Sequence, residues 1–148
     1  MRIVHRSALV PHSADEMFAL VDNVEAYPDF LPWCNSVQVH LRESNIVEAT
    51  LEMHRGSVSK QFRTRNTSIP GEKMDIQLVD GPFSNLAGGW TFGQLGDAGC
   101  KVALAMEFEF SSRAIDLVLG SFFEGTCNSL VDAFVKRARQ IYGDDDGR

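Results

Sequence analysis

The chain has 148 residues, of which 44% are hydrophobic and 23% are charged, and its formal net charge at pH 7 is −6. This length is typical of one domain with a single core, and the composition is that of a globular protein rather than a disordered one. No stretch approaches the roughly 20 apolar residues that a transmembrane helix needs. The negative charge excludes DNA as the expected partner, since nucleic acid is bound mainly by cationic side chains.

The cysteines and the N-terminus indicate a reducing compartment. Cys34, Cys100 and Cys127 are odd in number and form no C-x-x-C pair, which argues against a disulfide framework. The opening residues MRIVHRSALV lack the long apolar stretch and the cleavage site of a signal peptide. We therefore expect one cytoplasmic domain over residues 1–143, followed by an acidic, disordered tail at 144–148.

The first elements of the chain are short. A strand is predicted over 2–10, and Ser13 and Glu16 then have the spacing of a capping box. Apolar residues at helical spacing predict a short helix over 14–22. The run YPDFLPWC at 27–34 follows, and its two prolines exclude a long regular element, so we predict an apolar turn or a short helix.

From residue 35 to residue 111, apolar and polar residues alternate, which predicts about six consecutive antiparallel strands. A hairpin is expected at RGS (55–57), and the run IPGE at 69–72 breaks the next strand. Gly88 and Gly89 predict a bulge or bend. The alternation is strictest over 100–111 and predicts that Glu107 and Glu109 point to solvent.

The longest predicted element closes the chain. Apolar residues recur every three or four positions from 113 to 142, which predicts an amphipathic helix, and Gly143 fits its stop position. At 1.5 Å per residue this helix would be about 45 Å long, so we expect it to cross the sheet. The expected fold class is α+β: a curved antiparallel sheet wrapped around the long C-terminal helix, with an apolar cavity between them.

Three motifs resemble those of a known family. They are YPDFLPWC at 27–34, the turn GPF at 81–83 with WTF at 90–92, and FEF at 108–110. Together they resemble the coenzyme Q-binding START family of the polyketide cyclase/dehydrase-like superfamily, which also includes the bacterial ribosome-association toxin. The resemblance spans about residues 2–143 and implies a helix-grip (START-like) fold.

For function, the resemblance implies a non-catalytic carrier or chaperone of ubiquinone or a related polyprenyl quinone, supporting respiratory electron transport. Because such a ligand resides in the membrane, transient contact with the inner-membrane surface is expected. The same motifs leave open the alternative that the chain binds a ribosomal subunit. A polyketide cyclase-like enzyme is a second alternative, which rests on superfamily analogy alone.

Apolar side chains of the predicted cavity wall are the candidate ligand contacts, because removing apolar ligand surface from water would drive binding. Aromatic rings of this kind also staple loops onto a core without any ligand. The candidates are Tyr27, Phe30, Leu31, Trp33, Phe83, Leu86, Trp90, Met106, Phe108, Leu119, Phe122 and Phe123.

Four cations fall on one predicted hairpin: Arg55, Lys60, Arg63 and Arg65. Arg63 and Arg65 are expected on the same strand face, where they are the candidate contact for ribosomal RNA or for anionic phospholipid headgroups. An ordinary solvated strand face accounts for the same pattern.

No catalytic residue, metal site or cofactor is predicted. The four histidines have no zinc-ligand spacing, and the sequence contains neither a G-x-S-x-G nucleophile elbow nor a phosphate-binding glycine loop. We therefore expect a binding protein rather than an enzyme.

Overall fold

The computed structural model describes residues 1–143; the predicted tail at 144–148 lies outside the described residues. Seven antiparallel strands form one sheet in the order β1-β7-β6-β5-β4-β3-β2, so the first strand lies beside the last. The strands are β1 (Arg2–Val10), β2 (Cys34–Glu43), β3 (Ile46–Arg55), β4 (Val58–Ile69), β5 (Lys73–Asp80), β6 (Phe83–Gln94) and β7 (Cys100–Phe110). The expected run of six consecutive strands is confirmed, and so is the α+β helix-grip class.

Helical segments connect β1 to β2 and follow β7. They are α1 (Ala14–Asp22), a 3₁₀ turn (Val24–Ala26), α2 (Tyr27–Phe30), α3 (Arg113–Ile115), a π-helical segment (Asp116–Gly120) and α4 (Ser121–Tyr142). The capping box that starts α1 is confirmed, because the Glu16 amide donates to Ser13 Oγ at 3.1 Å and the Ser13 amide donates to Glu16 Oε1 at 3.0 Å.

Two aromatic clusters fasten α4 to the concave face of the sheet. In the Phe123 cluster, that ring meets Phe108 edge to face at 4.8 Å between centroids, and Phe62, Phe83 and Phe110 complete the group. Edge-to-face packing of this kind is favourable beyond the area that it buries.

The Phe134 cluster lies further along α4. Its central ring is 5.3 Å from Phe30 and from Trp90, and 5.5 Å from Tyr27. Because Tyr27 and Phe30 belong to α2, this cluster fixes the 27–34 run to the long helix. Any space left between sheet and helix must therefore lie between the two clusters.

The start of the C-terminal helix is held by Arg2 from β1. Its guanidinium donates to Asp116 Oδ2 at 3.2 Å and to Glu124 Oε1 at 2.7 Å, and these hydrogen bonds, first that to Asp116, raise the pKa of Arg2. A Cβ at Gly120 would come too close to the same guanidinium and to the Asp116 carboxylate, so a larger residue there would require these side chains to shift. The prediction of one regular helix from 113 is wrong over Asp116–Gly120, where the helix widens around this contact.

Of the bulge or bend predicted at Gly88 and Gly89, the bulge is wrong. Pairing between β6 and β7 is continuous there, and the irregularity lies between Phe83 and Asn85. A Cβ at Gly88 would collide with the carbonyl oxygen of Ala105, so this glycine permits a close approach of the two strands. Glu107 and Glu109 are exposed on the outer face, as predicted.

Candidate functional site

An internal cavity of about 80 Å³ lies between the sheet and α4, bordered by both aromatic clusters. Six of the residues predicted as ligand contacts are on its wall, contributed by α2, the following loop, β6, β7 and α4. They are Tyr27, Trp33, Leu86, Trp90, Met106 and Phe123. The predicted apolar cavity therefore exists, and about half of its predicted wall is in place.

The other six candidates lie elsewhere. Phe30 belongs to the Phe134 cluster, and Phe83 and Phe108 belong to the Phe123 cluster. Leu31 and Leu119 are both buried in the core. Leu119 also borders a separate shallow crevice beneath the π-helical segment. Phe122 faces an outer crevice on the opposite side of Trp33. The sequence indicated that these side chains are apolar and packed, and Phe30 and Phe122 are half-buried, but it could not say which surface each one packs against.

The cavity wall has a polar corner that sequence reasoning missed. Thr64 and Asn66 of β4 point inward and are buried, and Asn66 is only 8% exposed. Among residues 1–143, the side-chain oxygen Oδ1 of Asn66 has no hydrogen-bond partner. Leaving such an acceptor buried and unpaired costs about 1–3 kcal/mol of stability. The inward face of β4 is thus more polar than core packing alone requires.

The cavity wall offers no charged acid–base group among the described residues. Its titratable side chains are Tyr27 and Cys127. Burial raises the pKa of the Cys127 thiol to about 12 and also raises the pKa of Tyr27, whose hydroxyl donates to the carbonyl oxygen of Val21. Both groups stay protonated near neutral pH, so the wall can provide apolar contact and hydrogen bonds.

Trp33 separates the cavity from an outer crevice of about 550 Å³. Its ring borders both spaces, and so does Thr126 of α4. The indole nitrogen Nε1 is buried and has no hydrogen-bond partner in the described part of the chain. Within the described residues, the indole is therefore held by packing contacts.

The four predicted cations do not form one patch. Arg63 and Arg65 share the outer face of β4, as predicted, but both donate to the carboxylate of Glu48, at 2.7 Å and 3.3 Å. The hydrogen bond from Arg63 is the main cause of the lowered pKa of Glu48. Because one carboxylate offsets part of their charge, this pair presents less positive potential than the sequence suggested.

Arg55 and Lys60 lie instead against the start of the C-terminal helix. The Arg55 guanidinium donates to the carbonyl oxygen of Val118 at 3.0 Å and sits 5.5 Å from the Phe122 ring centroid. Lys60 borders the shallow crevice that Val118 also lines. Neither cation forms an ion pair within residues 1–143.

Val118, which contacts Arg55 and borders the same crevice as Lys60, is 47% exposed, and its chain neighbour Leu117 is 80% exposed. We call this group, made of Arg55, Lys60, Leu117 and Val118, the hairpin–helix edge. Exposed apolar side chains beside unpaired cations are typical of an interaction surface.

In a separate respect, no helix within residues 1–143 is both long and apolar enough to cross a membrane.

The chain resembles known proteins over most of its length. The family model described as polyketide cyclase/dehydrase and lipid transport matches residues 10–135. A protein named ribosome association toxin RatA from Vibrio cholerae is 44% identical over 97% of this chain and 100% of its own. A mitochondrial coenzyme Q-binding protein of Xenopus laevis is 29% identical over 93% of this chain and 58% of its own.

A solved structure shows the same fold. The Zhui aromatase/cyclase of Streptomyces sp. R1128 superposes with a TM-score of 0.81 over 95% of both chains. Its sequence is 16% identical, so this likeness concerns the fold alone.

Proposed function

This chain belongs to the polyketide cyclase/dehydrase and lipid transport family, and we propose, from its similarity to a ribosome association toxin, that it associates with the ribosome as an interaction protein rather than an enzyme. The observation that carries this proposal is the 44% identity with the Vibrio cholerae ribosome association toxin, which extends over the whole of that protein. The coenzyme Q-binding relative is more distant, at 29% identity. The ribosomal alternative is therefore preferred to the quinone carrier that the motifs first implied.

The hairpin–helix edge supports this proposal as the contact surface. Association with ribosomal RNA needs cations that can meet phosphates, since the whole chain carries a net charge of −6. Arg55 and Lys60 are free of ion pairs in the described part of the chain, whereas Arg63 and Arg65 share Glu48. The exposed Leu117 and Val118 add apolar area, which ribosomal proteins as well as RNA could cover.

Co-sedimentation with purified ribosomal subunits tests the proposal. We expect wild-type protein to pellet with a subunit at low salt, and the double variant Arg55→Glu/Lys60→Glu to remain in the supernatant. The matched control is Lys101→Glu/Lys136→Glu, which makes the same charge change at two exposed lysines away from the edge. Equal loss in both double variants would show a bulk charge effect, and no pelleting of wild type would contradict ribosome association itself.

A second candidate function is binding of an apolar ligand such as a polyprenyl quinone, favoured by the cavity between sheet and helix. The described cavity of about 80 Å³ is small for this purpose, because an apolar cavity of roughly 150 Å³ holds only benzene. A quinone with its tail would therefore have to open the wall toward the outer crevice. Contact with the inner-membrane surface would then serve the exchange of ligand.

Native mass spectrometry with lipid extraction of protein from its own host tests this second candidate. Stoichiometric prenyl quinone would support this candidate function, and protein that carries no lipid would contradict it. The neutral, protonated wall described above favours a binding role over acid–base catalysis, so a cyclase-like activity is not part of the proposal.

A further inference from the structure

We infer that the outer crevice beside Trp33 binds an unstacked base of ribosomal RNA, with Arg55 and Lys60 contacting phosphates next to that base. This inference rests on the proposed ribosome association, and it specifies which component of the ribosome is bound: a single-stranded or bulged nucleotide. The internal cavity takes no part, because Trp33 separates it from the crevice.

The walls of the crevice are already joined to one another. The His54 amide donates to the Trp33 carbonyl oxygen at 2.9 Å, and His54 Nε2 lies 3.0 Å from the carbonyl oxygen of Pro32, so this wall is tied to β3. The hydrogen bond from Arg55 to the Val118 carbonyl oxygen ties the hairpin to the start of the C-terminal helix. A site whose walls are fixed in advance loses less conformational freedom on binding.

The floor of the crevice is open at Gly125, an exposed residue of α4. A Cβ at this position would meet no atom of a neighbouring element within 4 Å, so packing among the described residues does not require glycine. Glycine is nevertheless unfavourable inside a helix. Its lack of a side chain lets a flat molecule lie close to the helix backbone at this point.

The rings and charges of the crevice indicate what such a molecule is. Trp33 and Phe122 contribute aromatic surface, on which nucleic acid bases stack favourably. The Arg55 guanidinium lies 5.5 Å from the Phe122 ring centroid and forms no ion pair within residues 1–143. No carboxylate of the described chain lines the crevice, although the net charge is −6. An aromatic group attached to an anion, as in a nucleotide, matches this combination, whereas an apolar protein segment would leave the cation without a counter-charge.

The position of the crevice determines how the rest of the RNA would lie. Arg55 belongs both to the crevice and to the hairpin–helix edge, so a base in the crevice would place its neighbouring phosphates along that edge, toward Lys60. Bases in a duplex are stacked on both faces, so only a loop, bulge or strand end can offer a base face to aromatic side chains. The inferred partner is therefore unpaired RNA.

A crevice-filling variant tests the inference on purified ribosomal subunits. Gly125→Leu adds a side chain to the crevice floor and should fold at least as well as wild type, because leucine is more favourable than glycine in a helix. We expect its affinity for the subunit to fall about tenfold, as for the loss of one stacked base. The slope of log affinity against log salt concentration should stay that of wild type, because no phosphate contact is removed. Gln140→Leu, at an exposed position of α4 outside the crevice, is the matched control and should keep full affinity.

Binding of RNA alone identifies the occupant, with fluorescently labelled octaadenylate and an eight-base-pair RNA duplex as the probes in anisotropy titrations. We expect wild type to bind octaadenylate about tenfold more tightly than the duplex, although the duplex has the higher charge density, and Gly125→Leu to lose this preference. Equal or tighter binding of the duplex would overturn insertion of a base. Subunit affinity that falls in Gly125→Leu without any binding of octaadenylate would mean that a ribosomal protein occupies the crevice, and would overturn the inference. Wild type that pellets with subunits as well as Gly125→Leu does would overturn the inference alone, whereas wild type that does not pellet would contradict ribosome association itself.

Discussion

The Phe134 cluster forms one end of the wall of the internal cavity beneath α4, and the cluster and the middle of the cavity differ in how completely side chains fill the space. In the cluster, three rings approach the central phenylalanine within 5.5 Å, from α2 and from β6. In the cavity, the wall is mainly apolar but includes an amide oxygen with no partner among residues 1–143, and its side chains leave a space of about 80 Å³. The comparison indicates that the aromatic clusters at the ends of the sheet–helix contact stabilise the fold, whereas the cavity between them lowers its stability.

The largest effect on stability is expected from truncating the central ring of the Phe134 cluster. Phe134→Ala removes the centre of its cluster and is expected to lower the free energy of unfolding by about 3–5 kcal/mol, as large-to-small core substitutions do. Urea denaturation followed by fluorescence measures the change. Phe122→Ala is the control, since its half-buried ring faces the outer crevice and Arg55, and it should cost much less. Equal losses would contradict the distinction.

A substitution at the cavity wall is expected to raise the free energy of unfolding rather than lower it. Asn66→Leu replaces a buried amide, whose Oδ1 has no partner among residues 1–143, by an apolar side chain of similar size, and should raise the free energy of unfolding by about 1–3 kcal/mol. Thr64→Val, which changes the neighbouring polar residue on the same face, is the companion variant. If Asn66→Leu were as destabilising as a core truncation, the amide would have to be satisfied in the ligand-free protein, and the comparison would fail.

A smaller, pH-dependent effect is expected on the outer face, at the Glu48 carboxylate. Hydrogen bonding to Arg63 lowers its pKa below the ordinary value of 4.5. The stability that this ionised group contributes is present above that value and is lost as the pH falls through the lowered pKa. Wild type should therefore be more stable than Glu48→Gln at pH 7, and the difference should shrink toward pH 3.

Glu43→Gln is the control for this titration, because Glu43 is exposed and has no ion pair within residues 1–143. Denaturation curves at the two pH values provide the measurement. A difference between wild type and Glu48→Gln that stays constant with pH would mean that the carboxylate does not titrate as the geometry requires.

The parts of this fold that sequence predicts are those set by local periodicity. Strict alternation over 100–111 and the helical stripe at 121–142 are enforced by burial of one face, so strands and helix could be read directly. The capping box at Ser13 and Glu16 is local in the same sense, because its two partners are three residues apart.

The parts that sequence missed depend on distant partners. The π-helical segment is held by Arg2, which is 114 residues from Asp116 in the chain. The pairing of Arg63 and Arg65 with Glu48 depends on the register between β3 and β4, and hydropathy at 58–69 does not fix that register. The inward orientation of Asn66 follows from alternation along β4, opposite to Arg63 and Arg65, but spacing alone did not show that this polar side chain borders a cavity.

The central claim is that the chain meets the ribosome through the hairpin–helix edge, and the salt dependence of binding tests it most directly. Each phosphate contact contributes about one unit to the slope of log affinity against log salt concentration. We predict that Arg55→Gln/Lys60→Gln binds ribosomal subunits more weakly and reduces that slope by about two units. A slope equal to that of wild type would contradict the claim, and would place the ribosome contact elsewhere on the molecule.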